Sequence, residues 1–390
     1  MARLISRLGA GLALVCLATA LRADEPPALL TQQQIDDGWI ALFDGHSLFG
    51  WQAHSEANFR VEDGTIVVDD GPKGLLCTTT RFQDYELHLE FRAAAGTNSG
   101  VFLRTPGKPT NPSSDCYELN IAPADNPFPT GSLVGRKQAT GFVRDGQWQT
   151  FDVVVDGAKV RVQVDGKQAL EYLDPAPLSG GFIGLQKNEG KVEFRNVRLR
   201  PLGGKPIFNG KDLAGWKTYP EMQSKFQVDK PGELHVLDGR GQLETSELYG
   251  DFVFQMECIS HAPSLNSGIF FRCIPGETMN GYESQIHNGF KDGDRTQPVD
   301  CGTGGIYRRK NARRVVADDL KWFAMTLIAD GPHFSIWVNG YQVTDWTDER
   351  KPDDNPRRGL RTAPGSIMIQ GHDPTTDLSF RKLRIQTLGK

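Results

Sequence analysis

Several motifs that would assign a function directly are missing from this 390-residue chain. It has no P-loop, no GxSxG elbow, no HExxH zinc motif and no dinucleotide fingerprint in a strand–helix context, so we expect no nucleotide cofactor. The six cysteines show no CxxC spacing, which leaves a zinc or redox motif unsupported. The net charge is −4 and basic residues do not cluster in a long block, which argues against a nucleic-acid partner.

Long hydrophobic runs are also missing after the N-terminus, so we expect no membrane-spanning segment. The apolar run at 8–20 follows Arg3 and Arg7, a pattern typical of a secretory signal peptide. We therefore predict a signal peptide at 1–23 and an exported protein, periplasmic or extracellular. Export permits disulfides. The five cysteines left after cleavage are an odd number in a long chain, so we favour buried single thiols.

One long pattern occurs twice. The segment ALFDGHSLFGW at 41–51 returns as PIFNGKDLAGW at 206–216, and NSGVFLR at 98–104 returns as NSGIFFR at 266–272. A repeat of this length is a whole domain and not a solenoid unit. Differences between the two copies therefore carry information about function.

We predict two tandem domains, at 35–202 and 204–390, each large enough for its own core. The Pro- and Gly-bearing stretch at 201–206 is the expected linker. Strand signals dominate both halves: the segment at 84–91 alternates between apolar and polar residues, as in a half-buried antiparallel strand. Helical periodicity is convincing only at 28–39. The predicted fold class is all-β, with two tandem antiparallel β-sandwiches of the jelly-roll type.

Tight turns are expected where Asp-Gly or Asn-Gly pairs interrupt these strands. We predict hairpin turns at Asp156-Gly157, Asp165-Gly166 and Asn339-Gly340.

Polar residues recur at every second position in three segments of the second copy, which places them on one face of each strand. In NSGIFFR these residues are Asn266 and Arg272, and a guanidinium is suited to gripping groups that carry several oxygens. In YESQIHN they are Glu283, Gln285 and His287. A carboxylate, an amide and an imidazole in one row can supply a base, a hydrogen-bond partner and a metal ligand. The third segment, SIMIQGHD, adds Gln370 and His372.

The first copy keeps only part of this set. It retains the amide, the guanidinium and the carboxylate as Asn98, Arg104 and Glu118. It has Ala122 and Asn188 where the second copy has its two imidazoles. The joint loss of both histidines indicates that they serve one task and that the second copy is the active one. The carboxylate is present in both copies, as Glu118 and Glu283, which also fits a structural role. That alternative stays open.

The ordered motifs of both copies resemble the 3-keto-disaccharide hydrolase domain family. The motifs are LF[DN]G–x–x–L–x–GW, NSG[VI]F[LF]R, YExxI, TG, Wxx[FM], [DN]G and FRx[VL]R[LI]. The resemblance implies a concanavalin A-like or LamG-like sandwich. It further implies cleavage of glycosides whose glucose unit has been oxidised at C3 by a separate sugar dehydrogenase.

That chemistry needs one base and one electrophile. A ketone at C3 acidifies the proton on C2, and the resulting enolate expels the substituent on C1 before water adds. The candidate catalytic residues are Glu283, His287 and His372, which are also the candidate ligands of one divalent metal ion. The candidate substrate-binding residues are Asn266, Arg272, Gln285 and Gln370 in the second copy, and Asn98, Arg104 and Glu118 in the first.

Two other functions fit the fold class. A lectin-like carbohydrate-binding module is the main alternative, because a sandwich of this type does not fix a function. A structural or adhesion protein of the cell envelope is the second. A row of polar residues meeting on one sheet would favour the enzyme.

Overall fold

The computed structural model describes residues 29–140 and 145–389. The predicted signal peptide lies outside the described residues. Almost all the regular secondary structure of the described chain is β-strand, in two pairs of antiparallel sheets, which confirms the predicted class of two tandem sandwiches. None of the helices in the described part has the length or the apolar character to cross a membrane.

The first half of the chain forms one sandwich. Its helices and strands are α1 (Gln32–Asp36), β1 (Ile40–Ala41), β2 (Trp51–Ala53), β3 (Arg60–Glu62), β4 (Thr65–Val68), β5 (Gly74–Thr78), β6 (Tyr85–Ala93), β7 (Ser99–Thr105), α2 (Pro112–Asp115), β8 (Tyr117–Ile121), β9 (Gln149–Asp156), β10 (Lys159–Val164), β11 (Lys167–Leu173), β12 (Phe182–Lys187) and β13 (Val192–Pro201).

The second half forms the other sandwich. Its strands are β14 (Lys205–Pro206), β15 (Trp216–Lys217), β16 (Lys225–Lys230), β17 (Glu233–Leu237), β18 (Gly241–Thr245), β19 (Phe252–Ser260), β20 (Ser267–Cys273), β21 (Tyr282–Ile286), β22 (Phe290–Lys291), β23 (Asp294–Pro298), β24 (Phe323–Asp330), β25 (His333–Val338), β26 (Tyr341–Thr347), β27 (Ser366–Gly371) and β28 (Asp377–Thr387).

The two sandwiches share one topology. In the first, a five-stranded sheet in the order β2-β5-β12-β7-β8 packs on an eight-stranded sheet. Seven strands of the larger sheet follow the path β11-β10-β9-β6-β13-β4-β3, and the eighth, β1, pairs with β13. In the second, the five-stranded sheet is β15-β18-β27-β20-β21 and the larger sheet is β16-β17-β28-β19-β24-β25-β26. A small additional sheet, β22-β23, occurs in the second domain.

Local sequence signals explain much of this structure. Strand β6 buries every second residue, as its alternation predicts. The pairs Asp165-Gly166 and Asn339-Gly340 both have positive φ at each residue and form the predicted two-residue hairpin turns. The turn at Asp156 lies one residue later than predicted, because Asp156 itself pairs with Lys159.

Each sandwich has its own apolar core between its two sheets. Trp51 and Trp216 lie at matched places in these cores, and their indole N–H groups donate to the carbonyls of Leu42 and Ile207. The five cysteines of the described chain are free and buried, as favoured from the sequence.

The two domains also pack against each other. Trp337 on β25 joins the core of the first domain and donates its indole N–H to the Ala41 carbonyl at 2.9 Å. Arg81 of the first domain binds the carboxylate of Asp330, and Arg313 binds Asp44. The outer face of β24–β26 is therefore an interface between domains, which leaves the outward face of the five-stranded sheet for other contacts.

Candidate active site

The outward face of the second five-stranded sheet carries three cross-strand rows of side chains. Strand pairing aligns Glu244, Met368, Phe270 and Glu283 in the first row. Because alternate residues share a face, the second row is Gln242, Gln370, Gly268 and Gln285. The third row lies at the strand ends and contains His372, Asn266 and His287. We call this surface the polar face. It brings Glu283, Gln285, Gln370 and Asn266 together, as the sequence predicts.

Glu283 is the most perturbed acid on the polar face. Its side chain is almost wholly buried, and it lies over Gly268, where a Cβ atom would come within 2.6 Å of its Oε1. Burial, with a smaller contribution from the negative charge of Asp300, raises the pKa of Glu283 to about 8, and the nearby cations Arg357 and Arg308 oppose that shift. A carboxyl with such a pKa can exchange a proton near neutral pH.

Asp300 ties two predicted site residues together. Its carboxylate accepts hydrogen bonds from the amide N–H groups of Asn266, at 2.6 Å, and Gln285, at 3.0 Å. The backbone at Asp300 and Cys301 has positive φ at both residues, an uncommon conformation for side chains other than glycine. The chain thus adopts a strained turn that aims a second carboxylate toward Glu283.

Three amide oxygens around the polar face are buried and have no hydrogen-bond partner among the described residues. They belong to Asn266, Asn280 and Gln370. Buried acceptors of this kind are normally paired with protein or solvent. They are therefore available to accept hydrogen bonds from the hydroxyl groups of a ligand.

The two predicted imidazoles lie at one end of the polar face. His287 follows β21 and accepts a hydrogen bond from the Gly289 N–H at its Nδ1 atom, while the exposed His372 follows β27 and pairs with Asp373 at 2.8 Å. His287 follows Glu283 by four residues in extended chain, which sets their Cα atoms about 13 Å apart. The imidazoles and the buried carboxylate thus lie at opposite ends of this face.

The predicted metal set is not assembled. His287 and His372 extend from strands on either side of β20, about 10 Å apart, and Glu283 lies farther still. Within the described residues, the ligand atoms of these three side chains do not form a convergent group. The three residues do not fit a single metal ion in this arrangement, and we derive no step through one.

The prediction that Arg272 and Arg104 face the ligand is wrong. Both guanidinium groups are buried beneath the sheet and are fully engaged by the protein. Arg272 donates to the carbonyls of Gly250, Gly331 and Arg361 and pairs with Asp251 at 2.7 Å. In the first domain, Arg104 donates to the carbonyls of Gln83, Gly157 and Leu178 and pairs with Asp84 at 2.6 Å.

A bulge explains this error. Strand alternation would place Arg272 on the side of Phe270, but the register shifts between Phe270 and Cys273 and Arg272 has φ of 49°. The left-handed residue reverses the alternation, so Cys273 joins Phe270 and Arg272 turns inward to Phe334. Arg104 has the same φ at the matched position.

The corresponding face of the first domain carries fewer ionisable side chains. Its middle is an apolar cluster of Leu75, Cys77, Phe102 and Cys116. Glu118 remains there and accepts a hydrogen bond from Gln186 at 3.2 Å, while burial raises its pKa. The backbone of Asn98 pairs with Glu189 in an isolated bridge. This face of the first domain therefore presents the buried carboxylate of Glu118 beside an apolar cluster.

Sequence analysis missed a second buried acid, Glu244. It accepts hydrogen bonds from Tyr219 and from the Ser366 hydroxyl, at 2.6 Å, and from the Gly276 N–H. The matched residue of the first copy is Cys77. Comparing GQLET with GLLCT could have found this difference by the same logic that singled out the histidines.

Arg308 is another residue that the predicted set of site residues did not include. It has φ of 57° where the matched position of the first copy is Gly135, with φ of 71°. Asp300 and Arg357 lie in segments that are longer in the second copy, so no matched residue signals them. Together these three residues surround Glu283 with charge that the first domain lacks.

The fold and this face define a class: tandem concanavalin A-like β-sandwich proteins with a buried carboxylate on the outward face of the smaller sheet of each domain. The particular family follows from sequence. The chain belongs to the family of the 3-keto-alpha-glucoside-1,2-lyase-like domain, whose model matches residues 38–200 and again 203–386.

The match to an individual relative covers only part of each chain. The chain is 32% identical over 101 residues to a 3-keto-disaccharide hydrolase of Bacteroides thetaiotaomicron, a match that covers 23% of this chain and 34% of that protein. The chain thus spans about a third of the length of this curated relative.

Solved structures are similar to single domains of the chain. A candidate glycosyl hydrolase of Parabacteroides distasonis is 20% identical, with a TM-score of 0.41, and the match covers 45% of this chain and 98% of that one. The carbohydrate-binding module CBM66 of Bacillus subtilis is 12% identical, with a TM-score of 0.32, and the match covers 39% of this chain and 95% of that one.

Proposed function

We propose that the second domain cleaves the glycosidic bond of glycosides whose glucose unit carries a ketone at C3. The observation that carries this proposal is Glu283, a buried carboxyl with a pKa of about 8, flanked by cations and by amide oxygens that lack partners. Family membership supports the same chemistry. The matched Glu118 lacks this charged setting, so we assign the reaction to the second domain alone.

The reaction begins with a proton transfer. The ionised carboxylate of Glu283 takes the proton from C2, and the electron pair moves onto the C3 oxygen as an enolate. When the carbonyl re-forms, the C1–O bond breaks, a double bond forms between C1 and C2, and the leaving alcohol takes the proton held by Glu283. Water then adds its oxygen to C1, and Glu283 passes a proton from this water to C2. The products are the 3-keto sugar and the released alcohol.

Positive charge near Glu283 suits the enolate step. Arg308 and Arg357 act electrostatically on Glu283, and either guanidinium can donate a hydrogen bond to the developing oxyanion. The strained backbone of Arg308 is consistent with a side chain held in place for a task. This assignment gives the electrophilic role to arginine residues that the sequence prediction did not include.

The imidazoles of His287 and His372 contact a different part of the substrate from Glu283. At about 13 Å from Glu283, His287 is too distant to act on the same carbon. We assign His287, His372 and Asn266 to contacts with the second sugar or with another leaving group. In this arrangement Gln285 and Gln370 hold hydroxyl groups between the two ends.

The substrate must be prepared by another reaction. A sugar dehydrogenase that oxidises the C3 hydroxyl has to act before this protein, because the ketone is what acidifies the C2 proton. We place both the protein and its substrate outside the cytoplasm, on the basis of the signal-like sequence at 1–23.

Turnover of a matched pair of sugars tests the substrate class. The purified chain is incubated with a 3-keto-disaccharide and, separately, with its unoxidised parent. We expect release of the 3-keto monosaccharide from the oxidised sugar alone. Cleavage of the parent at a similar rate would contradict the need for a ketone. Saturable binding of sugar without any cleavage would favour the lectin-like alternative.

Isotope incorporation tests the mechanism. Cleavage in D₂O should place deuterium on C2 of the released 3-keto sugar, because elimination removes that proton and hydration replaces it. A substrate-only control without enzyme measures spontaneous exchange next to the ketone. Product that carries no C2 deuterium beyond the control would indicate direct hydrolysis instead.

A further inference from the structure

A cluster of potential metal ligands lies far from the polar face, on the larger sheet of the second domain. Within the described residues, His235, His261 and Asp377 offer ligand atoms that all lie within 4.8 Å of one another. His235 projects from the outer side of β17, because its neighbours Leu234 and Val236 point into the core. Asp377 begins β28, the adjacent strand, and His261 directly follows β19.

The orientation of His235 is fixed as in a metal site. Its Nδ1 atom lies 2.5 Å from the Asp229 carboxylate, and its Nε2 atom lies 2.7 Å from the Asp377 carboxylate. Metal-bound histidines almost always donate the N–H of the other ring nitrogen to a carboxylate, a backbone carbonyl or water. Asp229 is suited to that outer role, which leaves Nε2 of His235 and the carboxylate of Asp377 to share an ion.

His261 completes the donor set. Its ring lies 5.5 Å from the His235 ring, nearly edge-on, and its Nε2 atom is 2.8 Å from the Ser379 hydroxyl. A protonated His235 that pairs with Asp229 and Asp377 would explain why these three residues lie together. It would not explain why the second imidazole, that of His261, lies at the same point.

The first domain lacks the whole set. Strand register and the hydrogen bond from residue 261 to residue 377 match these three positions to Val67, Ala94 and Lys191. Three ligands are therefore present together in one copy and replaced together in the other. If these three residues served only to keep the surface soluble, all three would not have to change together between the copies.

We propose that His235, His261 and Asp377 bind one divalent transition-metal ion, with Zn²⁺ as the preferred ion. Two imidazoles and one carboxylate form a common donor set for zinc, and water completes the coordination. The ion would link the edge hairpin β16–β17 to β28 and to the end of β19. This site is separate from the proposed active site and does not depend on the proposed function.

Zinc titration of the full chain tests this proposal. The chain is stripped with EDTA, freed of chelator and titrated with ZnCl₂ in a calorimeter, and a separate metal-free sample is titrated with Co²⁺ as a spectroscopic probe. We expect one zinc ion per chain and visible bands from Co²⁺ in a low-coordinate site. His261→Ala and Asp377→Asn should each weaken zinc binding by about tenfold or more, and Asp229→Asn by about tenfold.

The control is the double variant His287→Ala/His372→Ala, which removes the imidazoles of the polar face. It should bind zinc as the parent chain does. The exposed His261 and the near-isosteric Asp377→Asn change both leave the core intact, which melting temperatures can check. Absence of zinc uptake, uptake undiminished in the His261 and Asp377 variants, or uptake lost in the control variant would each overturn the proposal.

Discussion

At the scale of single residues, Glu283 shows how burial sets chemistry. Burial destabilises the ionised form of this carboxyl, and the same effect raises its affinity for a proton. Its pKa rises from 4.5 to about 8 on folding, chiefly through burial. The protonated form is therefore favoured in the folded state, and ionisation above the unfolded pKa works against stability.

Glu283→Gln should stabilise the protein in a pH-dependent way. Below pH 4.5 the carboxyl is protonated in both states and the change should have little effect. Between pH 4.5 and about 8 the wild-type carboxyl increasingly destabilises the fold, so the variant should gain at least about 1 kcal/mol by pH 8. Urea unfolding of both proteins below pH 4.5 and at pH 8 measures this difference. A gain that is equal at both pH values would contradict a raised pKa.

Arg272 is expected to act on stability. Its guanidinium is buried, and it binds three carbonyls and Asp251. Arg272→Ala should therefore lower the free energy of unfolding by about 3–5 kcal/mol, because Asp251 and the carbonyls lose their partner. Denaturant unfolding provides the measurement.

Arg308→Ala is the matched comparison for Arg272. It should leave the unfolding free energy within about 1 kcal/mol of the parent value and reduce turnover instead. If Arg272→Ala had normal stability and only a higher KM, the substrate-binding role predicted from sequence would be restored.

At the scale of strands, alternation predicted most of the polar face but failed at the bulges. The rows that contain Glu283, Gln285 and Gln370 follow directly from the two-residue period of β21 and β27. Arg272 could not be placed this way, since one left-handed residue reverses the alternation and no local motif announced it. The strand period also puts His287 and Glu283 on one face while setting them too far apart to act on one atom.

Gly268 on β20 provides the space that Glu283 occupies. A Cβ atom at this position would lie 2.6 Å from Oε1 and 2.9 Å from Cγ of Glu283. Gly268→Ala should displace the carboxyl and lower kcat by about tenfold or more, with only a small change in melting temperature.

Gly100→Ala is the matched variant in the first domain, where the nearest side-chain atom, Cγ of Glu118, lies 3.4 Å away. It should leave turnover unchanged. Equal losses in the two glycine variants would mean that the effect is not specific to Glu283.

At the scale of the whole molecule, the repeat was the strongest signal in the sequence. It predicted two sandwiches and directed attention to the second copy. It could not predict the charge around Glu283, because Asp300 and Arg357 lie in segments without a counterpart. It also gave no indication that the domains share an interface, since residues such as Trp337 and Ala41 are far apart in sequence.

That interface should make the domains unfold together. Trp337 is 1% exposed and contacts the core of the first domain. Trp337→Ala should cost about 3–5 kcal/mol, and it should split one calorimetric transition into two as the domains lose their coupling. A variant that keeps a single transition at the parent temperature would show that the interface adds no stability.

The most direct test of the proposed reaction is the rate of cleavage of a 3-keto-disaccharide by two matched variants. Glu283→Gln and Glu118→Gln remove the same group from the two copies, and circular dichroism can confirm that both variants fold. We expect Glu283→Gln to lower kcat/KM by about 100-fold or more, as for loss of a general base, while Glu118→Gln keeps the parent rate. Full activity in Glu283→Gln, or an equal loss in Glu118→Gln, would contradict the assignment of the reaction to the second domain.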